Sequence, residues 1–353
     1  MQKDKIVVIG FGWASIGLLQ HIDMNQYEII LISKDNKFVY TPLLAQNIKN
    51  NYDLTIPISD MNKSITFVQD KVETIDFQNK EVVSKKNIPY QYLVFSHGSE
   101  VNTFDIPGVD KYSYFLKSYE DGMYIKNRLK ELPHNSTVAV IGCGLAGAEM
   151  IGTLSDMKKF NVFAIDALER PLITFDKKLS EKVITTWHKE NIHMMFNSLV
   201  KQVTEKSIEI KEKPPVLFDM VIWCGGIKMS LFSKNVNELL HLNNPRGIPV
   251  NKYLNVEGQE NLFAIGDCAF SGHPPTAQVA YQQGIYLAKR FNGQLHKKKE
   301  FIVQDKGQIC YIGNGQSVYQ NNYYNGGGRL MGYFNNFVHL YNFGKIYVKN
   351  GYK

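Results

Sequence analysis

Through about residue 290, apolar residues fall into two rhythms: short continuous runs rich in β-branched side chains, and longer stretches where apolar positions recur every three or four residues. The first rhythm predicts strands and the second helices. Their alternation predicts an α/β chain built on parallel sheets. One arrangement occurs twice. Residues 5–33 read strand, glycine turn, helix, strand; residues 136–166 read the same way, with Gly10 and Gly142 132 positions apart. A repeat that long predicts duplicated domains rather than a solenoid. Between them, residues 71–93 carry short strand patterns punctuated by Asn79, Asn87 and Pro89, which predict a β-meander inserted in the first domain. Beyond Asn292 the chain turns basic, aromatic and rich in Asn and Gly, and a boundary is placed there.

The repeated unit carries chemistry. Ile6-Val-Val-Ile-Gly10-Phe-Gly12-Trp-Ala-Ser15 is a strand running into G-x-G-x-x-S at the start of a helix. Gly10 permits the tight turn, Gly12 lets the backbone approach a pyrophosphate, and the helix N-terminus supplies free N–H groups. Ser15 stands at the third glycine position and is small enough for close helix packing. Such a motif alone is also compatible with a ligand-free βα turn. Val138-Ala-Val-Ile-Gly142-Cys-Gly144-Leu-Ala-Gly147 is the full G-x-G-x-x-G. Asp166, 19 residues beyond Gly147 at the end of the next strand, is placed to bind ribose hydroxyls and repel a 2′-phosphate; the plain alternative is a capping Asp. In the first domain Ser33 and Asp35 are the nearest polar candidates. A third element, Asn261-Leu-Phe-Ala-Ile-Gly266-Asp267, runs an apolar strand into Gly-Asp.

Beyond these motifs, Tyr40-Thr41-Pro42-Leu-Leu44, Ser96-His-Gly98-Ser-Glu-Val-Asn102 and Pro274-Pro-Thr-Ala277-Gln278-Val-Ala-Tyr-Gln282-Gln-Gly284 resemble the type II, non-proton-pumping NADH:quinone oxidoreductases. The likeness extends through Phe115-Leu-Lys117 and Asp305-Lys306-Gly307, to about Phe343. It implies two Rossmann-like domains plus a C-terminal α+β segment. The implied division is 1–118 with 252–292 for FAD, 119–251 for NADH, and 293–353 near the quinone and membrane. It also implies hydride transfer from NADH to FAD, then two-electron reduction of a membrane quinone. Catalytic roles fall to Glu149, Gln278 and Lys306. Cofactor contacts fall to Gly10, Gly12, Ser15, Ser33, Thr41, Pro42, Gly98, Asn102, Gly142, Gly144, Gly147, Asp166, Gly225, Gly226, Gly266, Asp267, Ala277, Gln278 and Gln282. Without the resemblance, Gln278 and Gln282 read as surface glutamines, Lys306 as a solvated charge and Glu149 as a carboxylate favouring the helix dipole.

Composition narrows the rest. Hydrophobic content of 44% and charged content of 21% describe an ordinary folded chain. Cys143, Cys224, Cys268 and Cys310 lie far apart, with no CxxC, so neither a disulfide scaffold, a local metal site nor an adjacent redox dithiol is expected; a reducing compartment is. The sequence opens directly into a strand, so no leader is expected, and no apolar run reaches bilayer-spanning length. Of the net charge of +7, a balance of +8 lies between Lys289 and Lys353. Apolar positions 330, 334, 337, 338 and 341 form a helical stripe, with Asn335, Asn336, His339 and Asn342 largely off it. That helix suits an anionic lipid surface, as the resemblance implies, or packing on the protein's own core. The expected partners are NADH, a quinone and a membrane surface facing the cytoplasm or an equivalent reducing compartment, with no nucleic acid; a homodimer is left open. The family's longer membrane-binding C-terminus is expected but the sequence stops soon after Val338-His-Leu340. Two rivals stand beside this reading: a same-fold reductase with another acceptor, such as a sulfide:quinone oxidoreductase, and a flavin-binding redox sensor without turnover.

Overall fold

The computed structural model describes residues 3–349. Two five-stranded parallel sheets organise it. The first runs, in spatial order, Leu262–Ala264, Tyr92–Phe95, Asp4–Ile9, Tyr27–Ser33, Ile65–Gln69. The second runs Ser113–Phe115, Met220–Trp223, Thr137–Ile141, Asn161–Ile165, His193–Met195. Four strands follow the same order in both, so the internal repeat seen in the sequence is a repeat of topology; the fifth differs, Leu262–Ala264 entering the first sheet last and Ser113–Phe115 entering the second sheet first. Ile6, Val7 and Val8 are fully buried, as are Val138, Ala139 and Val140, because both faces of each sheet are covered. In the second domain Val138 and Val140 pack with the helices Tyr119–Glu131 and Leu145–Met157, and Ala139 packs with the antiparallel sheet Val200–Val203, Ser207–Ile210, Lys213–Leu217. In each half the glycine-motif strand is central, and the chain leaves it to one side and later returns to the other. That reversal opens a crevice at the carboxyl edge of the strands.

Antiparallel pieces decorate this frame. The expected meander is present as Thr74–Asp76, Glu81–Val83 and Asn87–Pro89. The C-terminal segment forms a three-stranded sheet, Gln308–Gly313, Gln316–Gln320 and Asn325–Gly328, followed by the helix Arg329–Lys349. Cys310, Ile312 and Val318 of this sheet share the second domain's core, and Trp187 donates its indole N–H to Ile312 O at 3.1 Å.

The sheets divide the chain differently from the sequence boundaries. Strand Ser113–Phe115 pairs with Met220–Trp223 in the second sheet, ahead of the expected 118/119 division. Helix Leu231–Leu239 buries Val236 in the first core, well before residue 252. Both are set by long-range pairing that local periodicity does not carry. Linking the halves is a short ribbon, Glu100–Val101 against Ile227–Lys228.

Candidate active site

The two glycine turns occupy equivalent places, at the carboxyl ends of the central strands. Gly10 has φ +102° and Gly142 φ +95°, backbone that side-chain-bearing residues avoid; a Cβ on Gly10 would also lie 2.6 Å from Ser96 O. Gly12 and Gly144 cap the helices Trp13–Leu19 and Leu145–Met157, with no side-chain cap and no acid in the first turn. A Cβ at either would meet nothing within 4 Å. Open space over uncapped N–H groups is what a dinucleotide pyrophosphate requires, so both turns fit one.

Third positions differ instructively. At Gly147 a Cβ would lie 1.8 Å from Gly142 O, so only glycine fits. Ser15 is fully buried, with its Oγ 2.5 Å from Gly10 O and 2.6 Å from Ser96 Oγ. The serine hydroxyl therefore ties the turn to the neighbouring strand where the second domain relies on close backbone approach.

Asp267 follows the strand Leu262–Ala264 and accepts a hydrogen bond from Ser99 Oγ at 3.1 Å. Lys117 donates to Ser99 Oγ at 2.9 Å and lies 3.7 Å from the Asp267 carboxylate. Buried Gln283 accepts from Gly266 N at 2.6 Å and donates to Ser271 Oγ at 2.9 Å, fixing the Gly-Asp turn on the helix Ala277–Phe291. Sequence reasoning met Ser99, Lys117 and Gln283 only inside the family-like stretches and gave none of them a role. Nearby, Gly98 has open space and Thr41 Oγ1 accepts from Trp13 Nε1 at 2.9 Å, beside Pro42. Ser33 Oγ accepts from Asp35 N at 3.2 Å.

Several expected contacts are engaged elsewhere. Asn102 donates its backbone N–H to Gly226 O, accepts from the Trp223 indole at its carbonyl, and caps Phe104 N with its side chain, so it serves the ribbon between the halves. Gly225 packs against the Trp223 ring, whereas Gly226 faces open space. Ala277 begins a helix capped by Thr276, whose Oγ1 accepts from Val279 N. Gln278 accepts from Lys306 N at 2.7 Å and donates to Gly307 O at 3.2 Å. Gln282 does the same to Gln304 N and O, at 2.8 and 3.0 Å. Being four residues apart on one helix face, the two amides clamp residues 304–307. The catalytic role that the resemblance implies for Gln278 meets an amide already engaged at both ends. Lys306 contributes backbone to this clamp, and its side chain is exposed.

Asp166 is also more embedded than expected. It is 9% exposed, and its oxygens accept from Cys143 N at 2.5 Å and Leu168 N at 2.8 Å, bracing the second glycine turn. Arg170 spends its guanidinium on Leu172 O, Ile173 O, Phe175 O and Ser180 Oγ. The cation that would otherwise welcome a 2′-phosphate is thus occupied, and the carboxylate beside the turn repels one. NADH is therefore expected to be used at least about tenfold better than NADPH. Asp166→Asn should narrow that ratio while raising the NADH KM, because one backbone N–H loses a charged acceptor. Steady-state kinetics with both donors measure it, and equal use by the unaltered protein would refute the assignment.

Glu149 lies on the second glycine helix, in the turn after Gly147. Burial pushes its carboxyl up to about 8, against a smaller lowering by the Tyr311 backbone N–H. At neutral pH it therefore keeps its proton. The four thiols are free, and burial pushes Cys224 and Cys268 up to about 12. No disulfide and no cluster suited to a metal occur among the described residues.

Two open glycine turns, each on the central strand of a parallel sheet, with a Gly-Asp strand returning to the first, define the class of proteins with two dinucleotide-binding domains. Residues 4–284 match the pyridine nucleotide-disulphide oxidoreductase family, and the chain belongs to it. A probable mitochondrial NADH-ubiquinone oxidoreductase of Schizosaccharomyces pombe is 31% identical over 84% of this chain and 64% of its own length. A probable NADH dehydrogenase of Dictyostelium discoideum is 26% identical over 92% of this chain and 82% of its own. This chain thus spans just under two thirds of the first relative's length. Among solved structures, NDH2 of Plasmodium falciparum in complex with NADH superposes with a TM-score of 0.89 at 23% identity, over 99% of both chains. The sulfide:quinone oxidoreductase of Aquifex aeolicus follows the same fold, with a TM-score of 0.82 at 17% identity.

Proposed function

We propose that this protein is a non-proton-pumping NADH:quinone oxidoreductase, with FAD at the Gly10/Gly12 turn and NADH at the Gly142/Gly144 turn. The observation that carries the reading is the pair of open, uncapped glycine turns, one backed by the Ser99–Lys117–Asp267 cluster and the other followed by protonated Glu149. The S. pombe and D. discoideum relatives support it by their names. Bound FAD would take a hydride from NADH and pass two electrons to the quinone. The chain orients the two nucleotides through backbone N–H groups, keeps a cation at Asp267, and holds a proton at the Glu149 carboxyl. We assign Glu149 to proton exchange, the Gln278–Gln282 clamp to holding Lys306 and its neighbours in place, and Asp166 to the donor side. Anaerobic titration with NADH, then with a soluble quinone, tests this: the flavin band should bleach stoichiometrically and return on adding quinone. Persistent bleaching would favour a different acceptor or a sensor. A sulfide:quinone enzyme requires a redox dithiol near the flavin, and the buried neutral thiols give that reading no support.

We place the protein on a membrane surface through its C-terminal helix. Leu330, Tyr333, Phe337, Leu340 and Tyr341 are 60–75% exposed on it, with Lys345 beyond. No helix among the described residues is long and apolar enough to cross a membrane. Fully burying a large apolar side chain is worth about 1.5–3 kcal/mol. F337D with L340D should therefore lower binding to anionic liposomes by at least about tenfold in a sedimentation assay. Undiminished liposome binding, or a shift from dimer to monomer in its place, would assign this face to a second copy of the chain.

A further inference from the structure

The C-terminal helix turns Asn335 and His339 inward while Tyr333, Phe337 and Tyr341 face out. Asn335 is fully buried and His339, one turn later on the same face, is 7% exposed. His339 Nδ1 lies 3.1 Å from the hydroxyl of Tyr40, itself 1% exposed. The Tyr40 ring is fixed by edge contacts with Trp13 at 5.1 Å and Phe343 at 5.3 Å between centroids. His339 Nε2 and both amide atoms of Asn335 are buried with no hydrogen-bond partner among the described residues. Three such atoms on one helix face are costly, about 1–3 kcal/mol each, unless something polar visits them.

Burial holds the Tyr40 phenol well above its ordinary value, and Glu149 lies within electrostatic reach of it. Burial lowers His339 to about 4, so the ring is neutral at physiological pH and can carry its one proton on either nitrogen. Glu149, Tyr40 and His339 thus come from the second glycine helix, the first domain and the C-terminal helix. All three are neutral, proton-bearing groups: Glu149, half-buried, lies on the helix that opens at the second nucleotide turn, and the buried Tyr40–His339 pair ends at an unpartnered nitrogen.

We propose that Tyr40 and His339 are a proton-conducting link that recharges Glu149 from the inner face of the C-terminal helix. The inference rests on the quinone reductase reading. Net turnover, NADH + H⁺ + quinone giving NAD⁺ + hydroquinone, consumes one proton that NADH does not bring. In the link, Glu149 gives its proton at the acceptor site and regains one through water from the Tyr40 hydroxyl. Tyr40 takes the Nδ1 proton of His339, and Nε2 takes one from water, leaving the opposite tautomer of a neutral ring. The ring resets by returning to its Nδ1 tautomer before the next cycle. Asn335, one turn away, orients the water at Nε2.

The test compares two acceptors in the flavin-loaded protein: a water-soluble short-chain benzoquinone, which needs protons, and ferricyanide, which takes electrons alone. Tyr40→Phe keeps the ring and removes the hydroxyl; His339→Gln keeps a polar group and removes the relay. Each should slow flavin reoxidation by the quinone at least about tenfold more than reoxidation by ferricyanide, and the double variant should be little slower than either single one. His339→Ala should recover quinone rate with added imidazole. Equal slowing with both acceptors, or no imidazole rescue alongside additive losses, overturns the link and leaves a packing role. An unaltered protein that reduces ferricyanide but no quinone overturns the functional reading and the link with it.

Discussion

Replacing Glu149 by Gln is expected to slow the quinone-dependent step by on the order of 10²-fold, the usual loss when a positioned proton donor is removed. Reduction by NADH should change several-fold less, because the hydride carries its own proton. The carboxyl is pushed up to about 8 by burial, so its proton is present at pH 7 and is lost as pH rises through about 8. The quinone step of the unaltered protein should fall across that interval, and that of E149Q should be flat. Stopped-flow measurement of the two half-reactions separately decides it; equal slowing of both would mean that the substitution misplaces the nucleotides instead. Stability carries the same signature with a definite sign. The unfolded chain releases this proton near 4.5 and the folded chain near 8, so the folded state binds more protons in between, and this group's contribution falls as pH rises from 4.5 to 8. In the flavin-free protein, E149Q should remove that part of the slope in urea melts.

How much of this was legible in the sequence follows from the range of each interaction. The glycine turns were readable because strand, turn and helix are contiguous, and the fold adds only the reason Ser15 is tolerated: its hydroxyl meets Ser96, 81 residues away. The meander was readable from alternating apolar positions and turn residues. Ser99, Lys117 and Asp267 were not readable as a group, since each alone is a commonplace polar residue and 168 positions separate Ser99 from Asp267. Gln283 hid beside Gln282, because a helix sends adjacent residues to different sides and periodicity does not say which side holds the turn. The C-terminal helix is the clearest case. Its apolar stripe was visible, but amphipathicity gives two faces without saying which is inward. The ordinary rule would bury Phe337 and expose His339, whereas the fold buries His339 against Tyr40 and leaves Phe337 64% exposed.

Gly284→Ala should destabilise the flavin-free protein by more than about 3 kcal/mol, beyond the usual range of overpacking, because it meets backbone rather than movable side chains. A Cβ on Gly284 would lie 2.1 Å from Ala14 O and 2.6 Å from Leu18 N, and one on Gly17 would lie 2.3 Å from Tyr281 O. The helices Trp13–Leu19 and Ala277–Phe291 thus touch backbone to backbone, and that contact joins the first glycine turn to the helix that anchors Gly266 through Gln283. Alanine's better helix propensity returns only about 1 kcal/mol, so separation of the helices wins, and Gly10 and Asp267 move apart with them. Gly12→Ala makes the informative contrast. Its Cβ would meet nothing within 4 Å and its φ of −110° suits any residue, so flavin-free stability should stay within about 0.5 kcal/mol of the unaltered protein. The same methyl would stand where a pyrophosphate must approach the helix N-terminus, so flavin affinity should fall at least about tenfold. Denaturant melts and flavin titrations on both variants separate the two roles. A Gly12→Ala protein with undiminished flavin affinity would remove the cofactor from this turn, and a Gly284→Ala protein of unaltered stability would mean that the two helices can part without loss.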